Sequence, residues 1–184
     1  MFEEFAKHKA ILVTGPQRAG TRIATKMIAA DTGHRYVDEI DIAFCRWDLV
    51  LELAAGEEPV VIQAPGLSHM AEHFPGLVVF MMRPVAEIEA SQKRIGWNPA
   101  SEYTERGNYD KMPTLTWDGQ HENRISAIKY THWLDYQSNL TKNYVEVWHH
   151  DLSKHRLWVD ADKRRDFAAG QTEIGGPDAG PTLI

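Results

Sequence analysis

Ala10 to Thr14 is a short apolar run closed by a threonine, and Gly15-Pro16-Gln17-Arg18-Ala19-Gly20-Thr21-Arg22 follows it without a break. An apolar strand, a glycine loop and the start of a helix, in that order, constrain the fold more than any other segment. Gly15 and Gly20 have the spacing of the P-loop, G-x-x-x-x-G-K-[ST], in which backbone N–H groups and a helix N-terminus hold phosphate. A strand apolar on both faces belongs inside a parallel sheet covered on both sides. The two residues after Gly20 depart from the motif: Thr21 replaces the phosphate-gripping lysine, and Arg22 replaces the Mg²⁺-binding Ser/Thr. The segment is therefore expected to bind a nucleotide phosphate without the standard parts for a metal–triphosphate.

The remaining apolar runs extend the same pattern. Helical spacing of Ile23, Met27 and Ile28 predicts a helix over 21–30, stopped by Gly33. Strands are expected at 35–40, 59–64, 77–82 and 144–148, and helices at 44–55, 85–95 and 123–140. Strands alternating with helices predict an α/β fold: a three-layer, P-loop-type parallel sheet flanked by helices. One domain is expected over 1–184, with an irregular loop at 96–119 and a glycine-rich, flexible tail at 170–184. Trp97 and Trp117 on that loop are candidates to stack on a nucleobase. Trp47, Trp133 and Trp148 are expected in the core.

Composition narrows the function. The net charge of −6 disfavours a nucleic-acid-coating role. Cys45 is the sole cysteine, which rules out an internal disulfide and a cysteine metal cluster and suggests a reducing compartment. The start of the chain lacks an apolar signal core. No apolar run approaches the roughly 20 residues of a membrane span. The expectation is a cytoplasmic protein with neither nucleic acid nor membrane as partner.

Val78 to Met82 brings Arg83 to the carboxyl end of a central strand, the edge where open α/β sheets bind ligands. An arginine there, where a Walker B strand would end in an acid, suggests a second anion contact. Ser91 follows eight positions later. These two blocks, Gly15 to Arg22 and Arg83 to Ser91, resemble the sulfotransferases that use 3′-phosphoadenosine 5′-phosphosulfate (PAPS). The Thr-Arg pair after the second glycine is similar to the heparan-type branch. Val145 to Leu152 is similar to a late strand and turn of those enzymes. The resemblance implies a small sulfotransferase that moves a sulfuryl group from PAPS to a hydroxyl or amine by in-line displacement, releasing PAP and requiring no metal. It implies that Gly15, Pro16, Gln17, Arg18, Ala19, Gly20, Thr21 and Arg22 hold the 5′-phosphosulfate, and Arg83 and Ser91 the 3′-phosphate. Arg18 aligns with the family's catalytic lysine, and Arg22 either touches phosphate or pairs with a surface acid.

A hydroxyl acceptor needs a base. Glu39, in the acidic group after the second strand, is the first candidate; Asp38 and Asp41 remain open. His69 is the fallback, because the segment after the third strand reads Gln63-Ala64-Pro65 and carries no lysine or histidine. Gln63 can hydrogen-bond the transferred group or the acceptor. His149-His150-Asp151 is a poor metal pair on a strand and reads better as a turn with a helix cap at Asp151. Lys163-Arg164-Arg165 and Gly170 offer a basic closure over the nucleotide or a solvated helix face. No pattern selects the acceptor, a small molecule or a glycan, and homo-oligomer formation stays open. Two other classes fit the loop: a P-loop kinase of a small molecule or nucleotide, and a P-loop protein that binds a nucleotide without turnover.

Overall fold

The computed structural model describes residues 1–43, 46–94, 134 and 137–159. Five parallel strands form one sheet: β1 (Ala10–Thr14), β2 (Arg35–Val37), β3 (Val60–Gln63), β4 (Leu77–Met82) and β5 (Tyr144–Trp148). Their order across the sheet is β2-β3-β1-β4-β5. Among the described residues three helices flank it, α1 (Thr21–Thr32), α2 (Trp47–Ala55) and α3 (Val85–Arg94). The architecture is the α/β, P-loop-type layered sheet that the alternating runs imply. β1, β3 and β4 are buried at every position, as strands covered on both faces must be.

Alternation along the strands divides the core. Ile11, Val13, Val61, Val79 and Met81 pack with Ala24, Met27 and Ile28 of α1 and Ile88 of α3. Leu12, Ile62, Val78 and Phe80 pack on the opposite face with Val50 and Ala54 of α2 and with Leu67 and Phe74. Each such side chain fully withdrawn from water contributes about 1.5–3 kcal/mol. Truncating Ile28 to alanine would cost about 2–5 kcal/mol, because α1 has no other apolar stripe to hold it on the sheet.

The strand order creates the site. From β1 the chain moves out to β2, returns to β3 beside β1, and then crosses to β4 on β1's other side. The carboxyl ends of β1 and β4 therefore flank a topological switch point, where open sheets leave a crevice. Thr14 closes β1 by bonding its buried hydroxyl to Ser68 Oγ at 2.7 Å and to the Ala64 carbonyl at 3.0 Å. This ties the loop's base to the 3₁₀ segment Pro65–His73.

At the other end of α1, Asp31 is nearly buried. It accepts hydrogen bonds from the Phe2 N–H and from His155 Nε2, both at 3.0 Å, and pairs with the Met1 amine.

Some boundaries differ from expectation. β2 stops at Val37 because residues 38–43 turn, with Asp38 N–H bonded to Asp41 and Ala43 at φ 45°. α2 begins at Trp47, after Arg46 in an extended cap. Asp151 does not cap a helix: Trp148 takes that place, and Asp151 sits in the first turn of the 3₁₀ segment His149–Lys154, accepting from Lys154 at 2.6 Å. Trp47 and Trp148 are half-buried rather than central. The helix expected at 123–140 is described only at its end, where Leu134, Gln137 and Ser138 are helical. Residues 96–119 with Trp97 and Trp117, Trp133, the 163–165 cluster and residues 170–184 lie outside the described residues. Among the described residues no helix is long and apolar enough to cross a membrane.

Candidate functional site

Glycine is required at both ends of the loop between β1 and α1. Gly15 has φ 136°, and a Cβ there would lie 2.7 Å from the Met81 carbonyl oxygen. The loop thus leaves β1 pressed against the backbone of β4. Gly20 has φ 97°, and its own Cβ would lie 2.8 Å from Cδ2 of His149. Between them the Ala19 N–H donates to the Pro16 carbonyl at 2.9 Å, and Arg18 takes φ 70°. A non-glycine residue with positive φ carries strain of order 1–3 kcal/mol and clusters at ligand sites. α1 begins at Thr21 with no side-chain cap and no acid in its first turn. Its N-terminal dipole is therefore uncompensated by its own residues.

Three predicted residues meet beside this loop. Arg83, at the end of β4, donates from Nη1 to the Arg18 carbonyl at 2.9 Å and from Nε to Glu87 at 3.1 Å. Arg18 in turn donates from Nε to the buried Ser91 hydroxyl of α3 at 3.2 Å. Surrounding protein, then repulsion from Arg94, Arg83 and Arg22, lower the Arg18 pKa from its ordinary value. An arginine still stays charged at neutral pH, so the shift registers a concentration of positive field. Arg83 and Ser91 each bind Arg18.

On the other side of β1, Arg22 turns to the acidic group. Its Nε lies 3.0 Å from Asp38 Oδ2 and its Nη2 lies 3.9 Å from Glu39. Of the two roles open to it, the pairing with acids is the one observed. Asp38 is crowded: the Tyr36 hydroxyl donates to Oδ2 at 2.5 Å, and the Ile40 N–H donates to Oδ1 at 3.2 Å. Burial and this bond raise the Tyr36 pKa. Lys26 sits over the Tyr36 ring, 5.6 Å from its centroid. Asp38 is thus an anchor for Arg22, and the neighbouring Glu39 side chain is 22% exposed. Asp41 is used in the turn, accepting the Asp38 N–H at 2.9 Å. His69 is half-buried on the 3₁₀ segment after β3 and engaged by neighbours. Gln63, ending β3, is buried.

Lys26 and Tyr36 escaped the sequence, and the place of His149 beside the loop did too. Lys26 and Tyr36 carried a readable signal, since Lys26 lies one turn beyond Arg22 on the same helix face. His149 did not: it packs edge-on against Trp158 at 5.4 Å and backs the loop at Gly20.

No protein-family model and no curated protein matches the chain. Solved structures do. A shikimate kinase from Acinetobacter baumannii, in complex with shikimate, aligns at 16% identity over 80% of this chain and 87% of its own, with a TM-score of 0.46. A gluconokinase from Sinorhizobium meliloti 1021 aligns at 19% identity, over 71% and 92%, with a TM-score of 0.39. A shikimate kinase from Bacteroides thetaiotaomicron aligns at 15% identity, over 75% and 85%, with a TM-score of 0.42. At these identities the likeness is one of fold. All three are kinases and none is a sulfotransferase, and the expectation of a PAPS-dependent sulfotransferase is corrected on that finding. PAPS as donor, PAP as product and the assignment to the sulfotransferase family fall with it. The physical reason for the error is that glycine spacing specifies a phosphate cradle and not the group attached to the phosphate.

Proposed function

We propose that this chain is a P-loop phosphotransferase that holds ATP on the loop from Gly15 to Arg22 and passes its terminal phosphoryl group to a small molecule. One observation carries this: Arg18 and Arg83 converge on an α1 N-terminus that lacks both cap and first-turn acid, at the switch point of the sheet. Loop amides and the α1 dipole would receive phosphate oxygens from Gly15, Pro16, Gln17, Ala19, Gly20 and Thr21. Arg18, positioned by Ser91, stabilises charge on the transferring group, in place of the missing lysine. Arg83 neutralises the nucleotide and fixes the loop through the Arg18 carbonyl. A charge-assisted contact of this kind supplies about 3 kcal/mol.

In the transfer, the acceptor oxygen bonds to the γ-phosphorus while the bond from that phosphorus to the β–γ bridging oxygen breaks, and ADP leaves. The acceptor's proton goes to Glu39, with His69 the second candidate. Arg22, clamped by Asp38, faces the acceptor side.

Mg²⁺ ordinarily accompanies such chemistry. The donor set does not suit a protein-held Mg²⁺. Arg22 occupies the position of the metal-binding hydroxyl, and the strand under α1 ends in the neutral Gln63. Among the described residues no group of three or more His, Cys, Asp or Glu side chains could hold a metal ion. Charge compensation falls to the guanidinium groups.

Calorimetric titration with ATP, followed by transfer of labelled γ-phosphate to a panel of small alcohols and amines, tests the proposal. Binding with transfer is expected. Failure of the wild type to bind ATP overturns it, and binding without transfer to any acceptor makes the chain a non-catalytic nucleotide-binding protein.

A further inference from the structure

α3 turns one row of side chains toward the phosphate loop. Glu87, Ser91 and Arg94 are spaced i, i+4 and i+7, so they lie within about 60° of one another around the helix. The first two meet cations of the site. Arg83 Nε donates to Glu87 at 3.1 Å, and Arg18 Nε donates to the Ser91 hydroxyl at 3.2 Å. In each pair an oxygen of α3 answers a guanidinium. Arg94, next in the row, reverses that rule. It places a second cation on the face that already holds Arg18, and of the three arginines that repel Arg18 it acts most strongly.

Two guanidiniums on one face repel, and an arginine does not shed its proton to relieve the repulsion. An anion between them turns that cost into two attractions. Both side chains can be reached, since Arg18 and Arg94 are exposed. Among the described residues the Arg18 guanidinium makes its one hydrogen bond through Nε and no ion pair. Its Nη1 and Nη2 therefore stay open to a ligand, and their planar fork matches the oxygens of a phosphate or carboxylate. We propose that Arg94 is a further anion-binding residue, which together with Arg18 clasps one phosphate or carboxylate group in front of α3. This inference rests on the phosphotransferase proposal above. The group is either the terminal phosphate of the donor or an anionic substituent of the acceptor, which present the same oxygens.

The experiment is calorimetric titration of the full chain as wild type, Arg94→Gln, Arg94→Lys, Arg18→Gln and the Arg18→Gln/Arg94→Gln double variant. ATP, ADP and inorganic triphosphate are titrated separately, and orthophosphate is titrated into the ATP-loaded protein. If the clasp takes the donor's terminal phosphate, Arg94→Gln should bind ATP roughly tenfold more weakly and ADP as the wild type does. If it takes an anion of the acceptor, ATP affinity should be unchanged, and orthophosphate should bind the ATP-loaded wild type roughly tenfold more tightly than the variant. In both cases Arg94→Lys should recover part of the loss, and the double variant should lose less than the two single losses combined, as expected of residues that share one ligand. Equal weakening of ATP and ADP, or no change with any of these anions, would overturn the inference. So would an Arg94→Gln protein whose unfolding midpoint drops by several degrees while Arg94→Lys recovers stability but no affinity. Failure of the wild type to bind ATP and ADP strikes the phosphotransferase proposal instead. The triphosphate titration then decides on Arg94 alone: a loss in Arg94→Gln upholds the clasp, and no loss or no binding removes it.

Discussion

The two flanks of β1 share a strand and a loop yet are built on different principles. On the β4 flank, Arg18, Arg83 and Ser91 hold one another through hydrogen bonds to backbone and hydroxyl, so the cations stay fixed before any ligand arrives. On the β3–β2 flank, Arg22 is neutralised by Asp38, Asp38 is saturated by Tyr36 and Ile40, and Gln63 keeps an unpaired oxygen. The first flank concentrates positive field, whereas the second commits its charges to one another. The difference teaches that a phosphate loop by itself is neutral as to chemistry; the residues flanking it decide what the phosphate meets.

The most severe break removes the feature common to both flanks. Gly15→Ala puts a Cβ 2.7 Å from the Met81 carbonyl at φ 136°, combining strain with overpacking. A loss of about 4 kcal/mol is expected from urea unfolding, with the loop and β4 disturbed together. Arg83→Ala attacks the β4 flank alone. ATP affinity should fall by roughly 10–100-fold with little change in unfolding midpoint, as titration calorimetry would read it. Unchanged affinity would show that the guanidinium serves only the Arg18 carbonyl.

Asp38→Ala attacks the opposite flank. It frees Arg22 and leaves the Tyr36 hydroxyl without its acceptor, so stability should drop by about 2 kcal/mol. The KM for the acceptor should rise while ATP affinity stays within about twofold, since additive effects are expected of separate flanks. Coupled losses in both would mean that the flanks are one site.

The smallest effect lies away from both flanks. Burial alone would raise the Asp31 pKa, but hydrogen bonds from the Met1 amine, the Phe2 N–H and His155 outweigh it and hold it below the ordinary carboxylate value. A depressed folded-state pKa contributes stability above the unfolded value of ~4, lost as pH falls through the folded value. Wild type should therefore exceed Asp31→Asn in stability at pH 6, and the gap should narrow below about pH 4. A gap independent of pH would assign the effect to packing.

Much of the fold was legible because buried parallel strands are nearly uninterrupted apolar runs: β1 and β4 match their expected residues, as does the less buried edge strand β5. β2 was read too long because the expected strand was carried on to the apolar Ile40, whereas the Asp38–Asp41 turn ends it at Val37. The loop's glycines were legible for the same kind of reason, each demanded by a backbone conformation. The partners were not. Arg18 meets Ser91 across 73 positions of sequence, and that contact depends on how α3 leaves β4. Whether Gln63 is paired is likewise a question of neighbours in space. The donor nucleotide was misread because Thr21-Arg22 and the Arg83–Ser91 spacing were taken as family marks, whereas here Arg22 pairs with Asp38, and Arg83 and Ser91 bind Arg18.

Asp31 draws together residues 29 and 124 positions away, Phe2 on one side and His155 on the other. The second contact must wait for the whole sheet, since closing so long a loop costs entropy before it returns any bond. Asp31 therefore acts as a late clasp on the folding pathway. Asp31→Asn should leave the refolding rate almost unchanged and accelerate unfolding, as expected of an interaction absent from the transition state. Persistence of the native state against heat or proteolysis would then be set at the far end of α1 from the loop, where it can vary without touching the chemistry.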